Sequence, residues 1–180
     1  IVIAIMVVVF ALLKFFNYKA RIIRELRKSP SKPINTVKDR EYARVHGLVE
    51  AAEELLQAPL SKRPCVFYHI TVEERADKSW RTIINDVKFQ PFYLNSNGEK
   101  ALIRAERKQS LLFYLKVDHK RKSDWTQKAT PELEAYLKSH NKKSKSWLFN
   151  ANKTLRYHEA VLTPGEMIVV KGTAEWIRLE

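Results

Sequence analysis

The chain has 180 residues, a one-domain length that can bury a core but cannot hold two large units. Apolar and aromatic residues form 45% of it, which excludes wholesale disorder, and only 4 glycines exclude collagen-like and glycine-linker architectures. A single cysteine, Cys65, removes any intrachain disulfide framework or cysteine-rich zinc site, and a formal charge of +13 points to an anionic neighbour: phospholipid headgroups, nucleic acid or an acidic protein.

Residues 1–13 carry no polar side chain. Lys14 follows, then Phe15, Phe16 and Tyr18, then Lys19, Arg21, Arg24, Arg27 and Lys28. A helix through Phe16 would run about 24 Å at ~1.5 Å per residue, slightly under the ~30 Å of a hydrocarbon core. Because the chain begins at Ile1 and not at Met, a few upstream residues are expected to complete the span. A signal peptide would need a basic region before the apolar run and small residues after it, and a buried core helix would show a polar stripe. Neither pattern is present, so the reading is a single-pass transmembrane anchor. The basic cluster after it places the globular part on the cytoplasmic side by the positive-inside rule.

Ser29-Pro30-Ser31-Lys32-Pro33 stops the helix, because proline lacks the backbone donor and clashes with the preceding turn. The expected organisation is therefore an anchor with its basic extension over 1–28, a linker over 29–40 and a globular part over 41–180. From Ala43 the pattern alternates, with Ala43, Val45, Gly47 and Val49 on one strand face. Leu55 to Leu60 read as a loop or single helical turn. Residues 65–72, rich in β-branched and aromatic side chains, predict a strand, and 80–84, 91–94 and 101–104 predict three more. Between the last two, Asn97-Gly98 predicts a tight hairpin turn, since both residues tolerate positive φ.

Leu111 to Val117 predict a further strand. Thr130-Pro131-Glu132-Leu133 has the order of an N-cap, a proline at the first helical position and an acidic first turn. That helix would bury Leu133, Tyr136 and Leu137 and end near His140-Asn141. Residues 155–162 lead to the turn Pro164-Gly165-Glu166 and a last strand over 167–172. The expected fold is mainly β, a small barrel or sandwich with one inserted α-helix, preceded by the transmembrane helix.

Several of these segments occur in a recognisable order. The apolar run is followed by Val45-His46-Gly47-Leu48-Val49, Pro64-Cys65-Val66-Phe67-Tyr68 and Trp80. Then come Pro91-Phe92-Tyr93-Leu94, Asn97-Gly98, Leu162-Thr163-Pro164-Gly165-Glu166 and Val169-Val170-Lys171-Gly172-Thr173-Ala174. The order and spacing over residues 40–175 resemble the BAM ("beside a membrane") or GIDE domain. This is the non-RING part of mitochondrial ubiquitin ligases of the MULAN/MAPL type and of prokaryotic membrane proteins. The resemblance implies a membrane-proximal recognition module without catalytic residues of its own. The ligases add a second anchor and a RING finger, which this sequence does not contain, so ligase activity is not expected. The family's domain also continues further, which implies a closing strand beyond Glu180.

No chemical constellation stands out. Cys65 sits mid-strand among Val66, Phe67 and Tyr68, where a small buried hydrophobe is expected. His46, His69, His119, His140 and His158 show no metal-ligand spacing, and no glycine-rich phosphate loop or nucleophile elbow is present, so neither cofactor nor metal is expected. Glu53-Glu54 and Glu73-Glu74 read as solvated acidic pairs. The net charge is concentrated in residues 14–44, at +7, and residues 100–160, at +9. In the second block Lys120, Arg121 and Lys122 precede Trp125, and Lys142, Lys143 and Lys145 precede Trp147. Such a block reads either as solvated loop lysines with core tryptophans or as an anionic lipid surface, with Lys120, Arg121, Lys122, Lys142, Lys143 and Lys145 on headgroups and Trp125 and Trp147 at the interface.

The first functional expectation is thus a membrane-anchored, non-catalytic module that binds a protein or anionic lipid at the bilayer surface, using an edge or pocket near Trp80, Phe92 and Tyr93. The alternative is an OB-like domain that binds single-stranded nucleic acid by phosphate attraction and base stacking. A third reading, an enzyme using Cys65, requires a thiolate that the sequence gives no means to stabilise.

Overall fold

A computed structural model describes residues 18–77, 79–105, 113–115, 117–123, 129–145 and 153–177. The chain enters through helix α1 (Tyr18–Arg27), whose Ile22 is buried and which ends three residues before Pro30. A short 3-10 turn (Ile34–Thr36) leads into strand β1 (Tyr42–Ala51). The expected alternation holds for Ala43, Gly47 and Val49, which are buried, while Val45 is half-buried. The segment read as a loop or helical turn contains a two-residue strand, β2 (Leu56–Gln57), paired with β3 (Pro64–Cys65).

Strands β4 (Phe67–Ala76) and β5 (Ser79–Phe89) form a long antiparallel hairpin, and β6 (Phe92–Ser96) and β7 (Glu99–Ile103) form a short one. The short hairpin turns at Asn97 and Gly98 with φ of 54° and 89°, the primed geometry that matches strand twist. A bulge between Val72 and Glu73 sets two consecutive residues of the opposite strand, Ile83 and Ile84, against one core. After β8 (His119–Ser123) comes helix α2 (Pro131–Ser139), then β9 (Leu155–Leu162) and β10 (Met167–Thr173). Helix α2 begins as its sequence predicts: the Thr130 hydroxyl accepts from the Leu133 amide at 3.3 Å, and Pro131 opens the first turn.

The strands make two open four-stranded antiparallel sheets, in the orders β10-β1-β6-β7 and β5-β4-β9-β8, beside the small β2-β3 ribbon. They do not close into a barrel, so of the expected mainly β fold with an inserted helix, the barrel is corrected. The reason lies at the sheet edges. Among the described residues β7 pairs only with β6, and β5 only with β4, so no ladder between described strands joins the sheets. Leu111 to Val117 were expected to add a strand, but described positions 113–115 and 117 carry none. Phe113 and Leu115 instead pack against the core between the sheets.

Two cores result. Helix α2 sets Leu133, Tyr136 and Leu137 on Tyr68, Ile70 and Val72 of β4 and Leu155, Tyr157 and Val161 of β9. At the other end, Val49, Phe67, Phe92 and Leu162 join the inner face of the first sheet to the second. The outer face of the first sheet lies outside these cores, as does the part of the second sheet's far face beyond Phe67 and Leu162, and those two surfaces carry most of the candidate functional chemistry.

Candidate functional site

The outer face of the first sheet begins at α1. The helix leaves carbonyls at its C-terminal end without intrahelical donors. Two outward cations satisfy them: Lys171 Nζ donates to the Glu25 carbonyl at 2.8 Å, and Arg44 Nη1 donates to the carbonyls of Leu26 and Ser29 at 3.3 Å each. Arg44 and Lys171 lie opposite one another on β1 and β10, so both reach the helix from one side of the sheet. Positive charge at a helix C-terminus also opposes its dipole favourably. Ser31 Oγ and His46 Nδ1 share a 2.8 Å hydrogen bond one step further along β1. The basic helix is therefore tied to the sheet by its own last turn, while Lys19, Arg21, Arg27 and Lys28 remain exposed.

Beyond the helix the same face turns apolar. Leu48 is 43% exposed, Tyr93 37%, Leu102 43%, Met167 63% and Val169 40%. Leu48 lies opposite Met167, Tyr93 lies opposite Leu102, and Leu48 and Tyr93 are diagonal neighbours across the β1–β6 ladder. Outward positions of an antiparallel sheet are ordinarily polar. Glu50 is the acidic group among them, and Lys100 at 2.7 Å and Asn95 hold its carboxyl below the usual carboxylate range.

Beyond Phe67 and Leu162, which belong to the intersheet core, the same face of the second sheet is polar and already self-satisfied. His69, Thr71 and Glu73 of β4 stand beside Arg156 and His158 of β9. Arg156 grips Glu73 with two guanidinium hydrogen bonds and lies over the Trp80 ring at 4.2 Å. That fork lowers the Glu73 pKa and raises that of Arg156. His158 Nδ1 lies 4.0 Å from Glu73, yet burial, then the charge of Lys120, push its pKa down against the pull of Glu73. His69 Nε2 meets Asn85 Oδ1 at 2.7 Å. Glu73 and Glu74 were expected to be solvated; instead Glu73 is paired with Arg156 and Glu74 with Arg81 and Lys153.

The structure does not gather the expected basic residues into one patch. Lys120 lies opposite His158 and is exposed on the polar face, while the backbone register sets Arg121 opposite Tyr157 and Lys122 opposite Arg156. Lys142, Lys143 and Lys145 are exposed in the turn after α2, and α2 covers the other face of that sheet. Trp125 and Trp147 lie outside the described residues. Of the aromatic trio expected at an edge or pocket, Phe92 is buried in a core, Trp80 is covered by Arg156, and Tyr93 alone stands outward.

Cys65 is fully buried, and burial together with the nearby Glu159 carboxylate raises its thiol pKa to about 11. A nucleophile needs the opposite shift. Glu159, buried beside it, accepts the amides of Leu60 and Ser61 at 2.9 and 2.8 Å and so fixes the turn leading to β3. Asp86 serves α2 in a similar way, accepting Tyr136 Oη at 2.9 Å and Tyr68 Oη at 3.4 Å. Among the described residues, no group of three or more His, Cys, Asp or Glu side chains is placed to hold a metal ion.

The outward apolar residues were missed in the sequence reading. The alternation that put Ala43, Val45, Gly47 and Val49 inward also put Leu48 outward, and that was the available signal. Comparison of the chain with protein-family profiles, with characterised proteins and with solved structures returned no match.

Proposed function

We propose that this chain is a membrane-anchored recognition module, with a single-pass anchor and its basic extension over residues 1–28 and a BAM/GIDE-like β-rich domain beside the bilayer, binding a protein or anionic-lipid partner and doing no chemistry itself. The observation that carries the reading is the attachment of α1. The basic helix that follows the apolar run is bound to the domain by Arg44 and Lys171, so a surface that takes up the helix holds the domain next to it. Exposed Arg and Lys beside a bilayer each gain about 1 kcal/mol from anionic headgroups. The domain would lie on the cytoplasmic side, where such headgroups are concentrated.

Among the described residues no helix is long and apolar enough to cross a membrane, and the proposed anchor lies outside them. The sequence of that segment, with the basic residues after it, supports the anchor. The OB-like nucleic-acid reading is weaker, since the sheets stay open and Lys120 lies on β8 while Lys142, Lys143 and Lys145 lie in the turn after α2.

The test is extraction of membranes from cells that express the full chain. An anchored chain stays in the pellet through an alkaline carbonate wash. Release into the supernatant overturns the anchor, and with it the membrane reading.

A further inference from the structure

We infer that the outer face of the first sheet is a bilayer-docking surface, on which Leu48, Tyr93, Leu102, Met167 and Val169 enter the headgroup region of an anionic membrane. The inference rests on the membrane reading above and deepens it, by naming which face of the domain meets the lipid.

The five side chains are contiguous. Met167 on β10, Leu48 on β1, Tyr93 on β6 and Leu102 on β7 cross the whole sheet as cross-strand or diagonal neighbours, and Val169 extends the band along β10. With strands ~4.8 Å apart, the band is about 14 Å wide. Scattered exposed hydrophobes are ordinary on a surface, but a connected band of them marks a contact site.

Two features select lipid over a protein occupant. The band shares its side of the sheet with α1, because Arg44 and Lys171, outward on the same strands, hold that helix. Apolar side chains beside exposed Lys19, Arg21, Arg27 and Lys28 reproduce the composition of interfacial membrane-binding elements, an apolar strip flanked by cations. A second copy stacked on this face would bring two basic helices together in a chain whose formal charge is already +13. Tyr93 suits the headgroup level, with an apolar ring and a polar tip. Lys100, 6.0 Å from the centre of that ring, pairs with Glu50 at 2.7 Å and so balances the carboxylate that stands opposite Tyr93.

The experiment reads immersion depth in the full chain, reconstituted into phosphatidylcholine–phosphatidylserine vesicles. A nitroxide is placed in separate variants at Leu48→Cys, Leu102→Cys and, as an aqueous reference, Lys142→Cys. Buried Cys65 leaves the introduced thiol as the labelling site. The expected result is a severalfold rise in the ratio of oxygen to nickel-chelate collision rates at positions 48 and 102, relative to position 142. A chain that resists carbonate extraction but keeps both labels in water overturns the docking surface and leaves the anchor standing. A chain that is extracted overturns both. Dipolar broadening between labels on different copies, with no change in depth, assigns the face to self-association and also overturns the inference.

Discussion

The two open sheet surfaces are filled differently. The first sheet buries one face and leaves the other outside. The second is covered by α2 on one face and, at its Phe67 and Leu162 end, by the intersheet core on the other, so that the remainder of that face is open. On the second sheet, polar groups meet one another: Arg156 holds Glu73, Asn85 holds His69, and the Trp80 ring lies under the guanidinium. On the first, a band of Leu48, Tyr93, Leu102, Met167 and Val169 lies beside a Glu50–Lys100 pair and two cations engaged with a helix. A face whose polar groups are already paired has little left to offer a partner, and changing it should alter stability. A face of exposed apolar groups gains by being covered, and changing it should alter association.

The largest effect is expected where the first sheet is tightest. A Cβ built on Gly47 would lie 2.4 Å from the Asn95 carbonyl oxygen, a backbone atom that cannot swing away. Gly47→Ala must therefore separate β1 from β6 and should lower unfolding stability by about 3 kcal/mol, measured by urea denaturation. The same displacement would pull Leu48 away from Tyr93, so the variant should also weaken membrane docking. An unchanged urea midpoint would mean that β6 does not approach β1 this closely, and the apolar band would lose its continuity.

A smaller loss is expected on the second sheet. Arg156→Met keeps an aliphatic stem over Trp80 but leaves the partly buried Glu73 carboxylate without its fork. Removing one partner of such a pair is worse than removing both, because the orphaned charge remains desolvated. Arg156→Met should thus lower Tm by a few degrees, and adding Glu73→Met should recover part of that loss. Membrane docking should be the same in both variants. A double variant less stable than the single one would show that Glu73 has a second strong partner.

Much of this architecture was legible because it is local. The Thr130 cap, Pro131 at the helix start, the buried trio Leu133, Tyr136 and Leu137, and the Asn97-Gly98 turn each depend on residues within a few positions. What was not legible depends on distant partners. Glu73 looked solvated because Arg156, which covers it, lies 83 residues away. His119 to Ser123 showed no strand pattern of their own, yet pairing with β9 makes them a strand. Phe113 and Leu115 fit a strand pattern, yet packing against the intersheet core leaves them outside any ladder. The docking face fell between these cases. Leu48 was outward by alternation alone, but contiguity with Met167, Tyr93 and Leu102 exists only once four strands are assembled in register.

The smallest expected effect concerns protons and again separates the faces. His158 looks into a site containing Glu73, Arg156 and Lys120, and burial first, then the Lys120 charge, lower its pKa below the ordinary 6.5. Between that lowered value and 6.5 the unfolded chain binds more protons than the folded one, so stability rises with pH there. The contribution is complete above about pH 6.5 and is lost as pH falls through the folded pKa. Glu73 adds a loss at lower pH, since its depressed pKa keeps its contribution present above about 4.5 and removes it below. Thermal melts between about pH 7 and pH 5 should therefore show a declining Tm, with a shallower decline in His158→Gln. Equal slopes would mean that His158 is as solvated in the folded chain as in the unfolded one. The polar face would then be less closed than its ion pair and ring contacts imply, and it would regain standing as a surface open to a partner.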